Sequence, residues 1–230
     1  TRHRHIVDPN NEYYHIIGHA ASADGMDGIQ MWFSKMWPLY ESGPLIQRQH
    51  LTIVSSTPSC LIVRMSMPHF RAVFVTGRAP HSGIAQDLNE CFWRQISHIV
   101  RPYERDHLLF FMGDTNGHLG EHVTDAVGPH DWSQENGPGR EFHNWMLTHR
   151  LCAPSTMADH HVGHRSSTFC SPDGVHRTRI DYIAVPTALQ YDCLSTWVAD
   201  TIELCGTRED HAAVVGWLQF TQEISLQKER

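Results

Sequence analysis

Five consecutive apolar residues, Leu108-Leu109-Phe110-Phe111-Met112, run straight into Gly113-Asp114-Thr115-Asn116. A continuous apolar run of that length is a central strand buried on both faces. Such a strand needs sheet neighbours and cover above and below, so the chain must fold as a layered α/β structure. Gly113 stops the strand. The polar triplet after it lies in a loop beyond the strand's C-terminal end.

Other short apolar or β-branched runs read as strands. They are Tyr13 to Gly18, Ile29 to Ser34, Leu51 to Ser55, Leu61 to Met65 and Ala72 to Val75, each ending near Gly, Pro or Ser. Asp24-Gly25 and Asp27-Gly28 suggest a turn between the first two. A helix follows, with Ser82 as its cap, Leu88, Cys91, Phe92, Gln95, Ile96 and Ile99 on one face, and Pro102 at its end. Residues Val123 to Gly139 read as a long surface loop. A second helix covers about Arg140 to Arg150, with Phe142, Trp145, Met146 and His149 on one stripe. Leu151 to Ala153, Thr168-Phe169, Ile180 to Val185, Thr196 to Ala199 and Ala212 to Phe220 complete the strands. Without repeats or a linker, one domain with two packed sheets and helices outside is the simplest account.

Composition excludes several classes. With 40% apolar and 19% charged residues, the 230-residue chain is an ordinary globular one. No apolar run approaches the roughly 20 residues that span a bilayer. The net charge of -7 argues against a general nucleic-acid coat. It leaves room for an enzyme whose acidic site is edged by a local basic rim. The six Cys form no C-x-x-C pair and read as reduced thiols of an intracellular protein. Asp159-His160-His161 with His164 lacks a further ligand at a zinc spacing and reads as a His-rich loop.

Three places carry chemistry. Asp114 and Asn116, at i and i+2 past a buried strand, point a proton acceptor and an amide donor at one cleft, although the same pair also makes an Asx-turn. In Arg179-Ile180-Asp181-Tyr182-Ile183 a carboxylate interrupts an apolar strand, which is costly unless it is paired or the strand is an edge. Glu209-Asp210-His211 precedes an apolar strand and sets a metal-capable carboxylate beside an imidazole, or forms a solvated turn.

Taken in order, Gly-Asp-x-Asn, Arg-Ile-Asp-Tyr-Ile and Asp-His before a strand resemble the endonuclease/exonuclease/phosphatase superfamily over nearly the whole chain. That group includes deoxyribonuclease I, apurinic-site endonucleases, deadenylases, inositol phosphatases and LINE-type retrotransposon endonucleases. The resemblance implies a deoxyribonuclease I-like α/β fold, a two-sheet β-sandwich flanked by helices. It implies that Asp114 activates or positions water, that Asn116 binds the phosphoryl oxygen and that Asp210 sits at a Mg²⁺ replaceable by Mn²⁺. His211 would contact the scissile phosphate, and Asp181 would orient His211. Gly25-Met26-Asp27-Gly28-Ile29, Glu135-Asn136-Gly137 and Ser171-Pro172-Asp173-Gly174 resemble the LINE-type members.

The resemblance therefore implies a DNA-nicking phosphodiesterase at 1–221, with 222–230 as tail or linker to further domains such as a reverse transcriptase. Its location would be nuclear. Other phosphoesters, or a dead relic acting as an interaction module, are the alternatives. Two features depart from the superfamily. Relatives open with an Asn-bearing strand and a metal-binding Gln-Glu, whereas this chain begins Thr1-Arg2, as if just after that Glu, so its first strand would be missing and its own activity low. In Gly77-Arg78-Ala79-Pro80-His81, Arg78 stands where relatives carry Tyr or His; Arg78 and His81 are candidate phosphate contacts.

Overall fold

The computed structural model describes residues 5–8, 11–21, 28–39, 43–83, 86–191, 193–199 and 210–219. It is a mixed α/β chain with two compact units. The first comprises Thr1–Gly77, Ile99–Leu109 and Gln222–Arg230, and the second Arg78–His98 and Phe110–Thr221.

The first unit holds two antiparallel meanders. One is β1 (His5–Asp8), β2 (Tyr14–His19) and β3 (Ile29–Ser34), in that order. The other is β4 (Leu51–Thr57), β5 (Cys60–Met67) and β6 (Phe70–Arg78). Alternation decides what β3 buries: Met31 and Phe33 turn inward while Trp32 stays exposed. Phe33 meets Phe74 of β6 edge-on at 5.6 Å, which packs one meander on the other. β5 has no such alternation; Leu61, Ile62 and Val63 are all fully buried. Asp24, Gly25 and Asp27 of the expected turn lie outside the described residues.

The second unit carries the helices and the C-terminal strands. Helix α1 spans Gln86–Val100, its last two residues belonging to the first unit, and α2 spans Gly137–Thr148. β7 (Leu108–Asp114) enters it from residue 110. Next come β8 (Leu151–Cys152), β9 (Phe169–Cys170), β10 (Arg177–Thr178), β11 (Asp181–Pro186), β12 (Cys193–Ala199) and β13 (Ala213–Gln219). β11 lies between β7 and β8, antiparallel to both; β12 pairs with β13 and β9 with β10. β1 and β10 were not anticipated from the sequence, because His5–Asp8 and Arg177–Thr178 have no apolar period.

Both helices differ in detail from the sequence reading. Leu88 is exposed and Gln95 faces solvent; the buried stripe of α1 is Asn89, Trp93, Ile96 and Val100. A pattern that counts Asn as polar misses this face. Asn89 is accommodated because its amide donates to the Pro80 carbonyl at 2.8 Å and accepts from the Trp93 indole at 3.0 Å. Helix α2 starts three residues before the expected Arg140, capped by Asn136, with Pro138 in its first turn, where a missing N–H costs nothing. The loop before it is partly interior, with Ala126 and Val127 buried. Among the described residues no helix is long and apolar enough to cross a membrane.

Trp93 joins α1 to the rest of this core. Its ring lies 5.4 Å from Phe111 of β7 and 5.1 Å from both Phe142 and Trp145 of α2. Trp93→Ala removes a buried aromatic that cannot be replaced by local collapse, so it should destabilise the chain by about 3–5 kcal/mol. Denaturant unfolding checks this; a loss under about 1 kcal/mol would show that the aromatic cluster does not hold α1.

Candidate active site

β7 ends on Asp114 and β11 begins on Asp181, and the antiparallel register sets these two carboxylates directly opposite each other. Like charges in that position repel. His211, just before β13, completes the group: its Nδ1 lies 2.9 Å from Asp181 Oδ2. One ligand atom from each of Asp114, Asp181 and His211 falls within 4.8 Å of the others. All three belong to the second unit. The solvent-facing edge alternative for Asp181 fails, because its side chain is only 20% exposed and its N–H is taken by Thr168 Oγ1.

Burial, and next the charge of Asp181, raise the Asp114 carboxyl above the ordinary carboxylate range. The Asn116 N–H and the charges of His211 and Arg78 oppose that shift. The hydrogen bond to Asp181 raises the His211 pKa, with the charges of Asp181, Asp114 and Asp210 adding and burial opposing. The carboxyl of Asp114 and the imidazole of His211 are thus each shifted in part by the other two members of the group.

The loop after β7 is an Asx-turn as well as part of the site: Asn116 N–H donates to Asp114 Oδ1 at 2.8 Å. Asn116 adopts φ +50, a conformation Asn tolerates better than most residues, and its Nδ2 donates to the Ala79 carbonyl at 2.8 Å. Thr115, fully buried, ties the loop to the start of β11 through its N–H and its hydroxyl, both bonded to the Ile180 carbonyl at 2.9 and 3.0 Å. Arg78 Nε lies 3.7 Å from Asp114 Oδ2, with most of the side chain in solvent.

Two positioning residues were missed in the sequence reading. Thr168, also fully buried, accepts at Oγ1 from the N–H groups of Ile180 and Asp181, both at 3.1 Å. Its carbonyl accepts from Ala212 N–H at 2.7 Å. One residue thereby fixes the strand starts that carry Asp181 and His211. The Phe169 ring adds an edge contact to His211 at 5.1 Å. Arg179 was quoted only as part of a motif. Its buried guanidinium donates to the carbonyls of Ser155, His130 and Asp131, locking β11 one residue from Ile180. Nothing in the sequence pattern marks Thr168, whose partners lie 10 to 44 positions away.

The remaining candidates are placed as follows. Asp210 lies outside the three-residue group and acts on it through its charge; its carbonyl accepts from Cys170 N–H at 2.8 Å. His81 sits in an exposed turn, its Nδ1 accepting from Gly83 N–H at 3.1 Å, and no bond among the described residues joins it to the carboxylates. Glu209 lies outside the described residues. His160 and His161 each bond a main-chain carbonyl, of Leu194 and Arg165. Cys60, Cys91, Cys152 and Cys170 are free thiols; burial pushes Cys60 and Cys152 up to about 12, so both are held protonated.

No protein-family model matches the chain. A stretch of 93 residues, 40% of the chain, is 28% identical to Craniofacial development protein 2 of Bos taurus, and spans only 16% of that protein's length. Among solved structures, the 3′ phosphatase NExo from Neisseria bound to a product DNA hairpin superposes with a TM-score of 0.60 at 16% identity. The match covers 90% of this chain and 80% of that one. The endonuclease domain of TRAS1, a telomere-specific non-LTR retrotransposon, gives a TM-score of 0.55 at 14% identity over 91% of this chain and 81% of that one. The strand order that brings Asp114, Asp181 and His211 together is thus the deoxyribonuclease I-like one, and the chain has the endonuclease/exonuclease/phosphatase fold.

Proposed function

We propose that this chain is a divalent-metal-dependent phosphodiester hydrolase that nicks DNA, of the kind encoded in the nucleus-acting polyproteins of LINE-type retrotransposons. The observation that carries the reading is the convergence of Asp114, Asp181 and His211 on one side of the β7–β11 pair. Two solved structures of the same fold bear on the substrate. One holds a product DNA hairpin and the other is a retrotransposon endonuclease domain.

The chemistry follows from the donors. Two carboxylates held against each other are a hard, oxygen-rich site relieved by a cation, which fits Mg²⁺ or Mn²⁺. Asp210 would sit at the ion beside the Asp114–Asp181 pair, and the ion would supply Lewis-acid stabilisation of the phosphate charge. Asp114, whose carboxyl burial raises above the ordinary carboxylate range, takes the proton of the attacking water. Asn116 has a second amide N–H beyond the one given to Ala79, and it donates to the phosphoryl oxygen as charge builds there. Asp181 accepts a hydrogen bond from the Nδ1–H of His211, so Nε2 is the atom turned to substrate, and the raised pKa keeps a proton there for the phosphate or the leaving oxygen. The Arg78 guanidinium, beside Asp114, supplies a cation at the rim where a phosphate approaches.

Supercoiled-plasmid nicking with Mg²⁺ tests this, on this chain and on any longer natural form that contains it. In the more active form, Asp114→Ala and His211→Ala should each lower the rate on the order of 10²–10³-fold. A chelator should stop the reaction and Mn²⁺ restore it. Undiminished nicking by either variant, or no nicking by any form, removes the proposal.

A second expectation concerns pH. The folded pKa of His211 lies above its unfolded value of about 6.5. The Asp181–His211 bond therefore contributes its full stability below pH ~6.5, and that contribution is lost as pH rises through the folded pKa. By NMR, the ring-proton titration of His211 should have its midpoint above that of a free imidazole and fall in Asp181→Asn. The stability gap between the two proteins should narrow with rising pH. An unmoved midpoint would mean that Asp181 does not tune the imidazole.

A further inference from the structure

The Asn136 side chain is bonded at both of its polar atoms. Its Oδ1 accepts from Gly139 N–H at 2.8 Å, which caps α2, and from His118 N–H at 3.0 Å. Its Nδ2 donates to the Asn116 carbonyl at 3.0 Å. A helix cap needs only the oxygen. The N–H bond does nothing for α2; it acts on Asn116, whose backbone is in the left-handed region. Together the three bonds hold both flanks of residues 116–118.

The approach of this loop to α2 is close enough to exclude side chains. A Cβ on Gly139 would overlap the His118 carbonyl oxygen, and one on Gly117 would come within 2.8 Å of Gly139 Cα. Asn136 is itself pinned. The neighbouring Glu135 carboxylate, 5% exposed, accepts from His143 Nδ1 of α2 at 2.8 Å, and His143 Nε2 meets Thr124 Oγ1 at 2.8 Å. The amide is therefore anchored in the helix at one end and grips the loop at the other.

We propose that Asn136 is a positioning residue for the hydrolysis: its Nδ2–H fixes the left-handed backbone of Asn116 and so the aim of the Asn116 amide at the phosphoryl oxygen. This rests on the phosphodiesterase reading above. The helix cap and the loop grip are separable by chemistry. In Asn136→Asp the carboxylate still accepts from Gly139 and His118, and its charge is favourable at a helix N-terminus. It has lost the donor, and an oxygen now faces the Asn116 carbonyl.

The test compares wild type, Asn136→Asp, Asn136→Ala, Asn116→Ala and the double variant Asn136→Asp/Asn116→Ala. Thermal unfolding and nicking kinetics are followed in each. Asn136→Asp should unfold at nearly the wild-type temperature yet lose ten- to hundredfold in kcat, as misaimed groups do, with KM changed less than about twofold. The double variant should be no slower than Asn116→Ala alone, because the brace acts only through Asn116. Unchanged kcat in Asn136→Asp, or losses that multiply in the double variant, overturns the proposal. An inactive wild type would instead sink the phosphodiesterase reading. The brace is then judged by NMR, where unmoved Asn116 backbone and side-chain amide signals in Asn136→Asp overturn it.

Discussion

Two carboxylates facing each other across an antiparallel pair of strands set the terms for everything around them. Unit charges about 4 Å apart repel by about 4 kcal/mol at an effective dielectric of about 20. Asp114 and Asp181 are brought into that position by register, and both are mostly out of water. The fold compensates from several sides. His211 donates a hydrogen bond to Asp181, Arg78 sits beside Asp114, and the Asn116 N–H donates to Asp114. Burial, and after it the charge of Asp181, still raise the pKa of Asp114 and leave a group of donors suited to a cation.

Holding such a group requires rigid surroundings, and the second unit supplies them with buried polar side chains. Thr115 and Thr168 are fully buried, and each ends its bonds on backbone groups next to a member of the site. Arg179 spends its guanidinium on three carbonyls and touches none of the site carboxylates among the described residues. Asn136 does the same for the loop after β7. A buried polar group is costly unless satisfied, so each of these fixes one local arrangement and penalises alternatives. Beneath them, Trp93, Phe111, Phe142 and Trp145 form an apolar platform linking α1, β7 and α2. The rigid platform and the strained carboxylates are thus parts of one device: the core supplies the energy that the site costs.

Much of this was legible in the sequence, for reasons that differ by element. The apolar run Leu108 to Met112 announced β7, and Ile29 to Ser34 announced β3 to the residue. The Asp114–Asn116, Asp181 and His211 triplets were visible because each interrupts or ends an apolar strand. The pairing of residues 181 and 211, which the resemblance and not the strand pattern implied, is a 2.9 Å contact. The face of α1 was not legible, since its core position at residue 89 is an Asn whose partners, Pro80 and Trp93, only the folded chain reveals. Thr168 was seen as strand and not as a hub, because a lone Thr before a Phe carries no periodic signal. His81, plausible beside Pro80, turned out to serve its own turn.

By itself the sequence determined most of the strands, which residues carry charge where charge is expensive, and in what order they come. Those are local properties, set by hydrophobic period and by the cost of burying a carboxylate. Tertiary structure decided the rest: that Asp114 faces Asp181 and not its neighbour one residue on, that the His211 imidazole reaches that pair, and that Asn136 grips the loop it caps across. These depend on strand register and on close approach of distant backbone. A shift of one residue in register would turn every side chain of a strand to the other face without changing its composition.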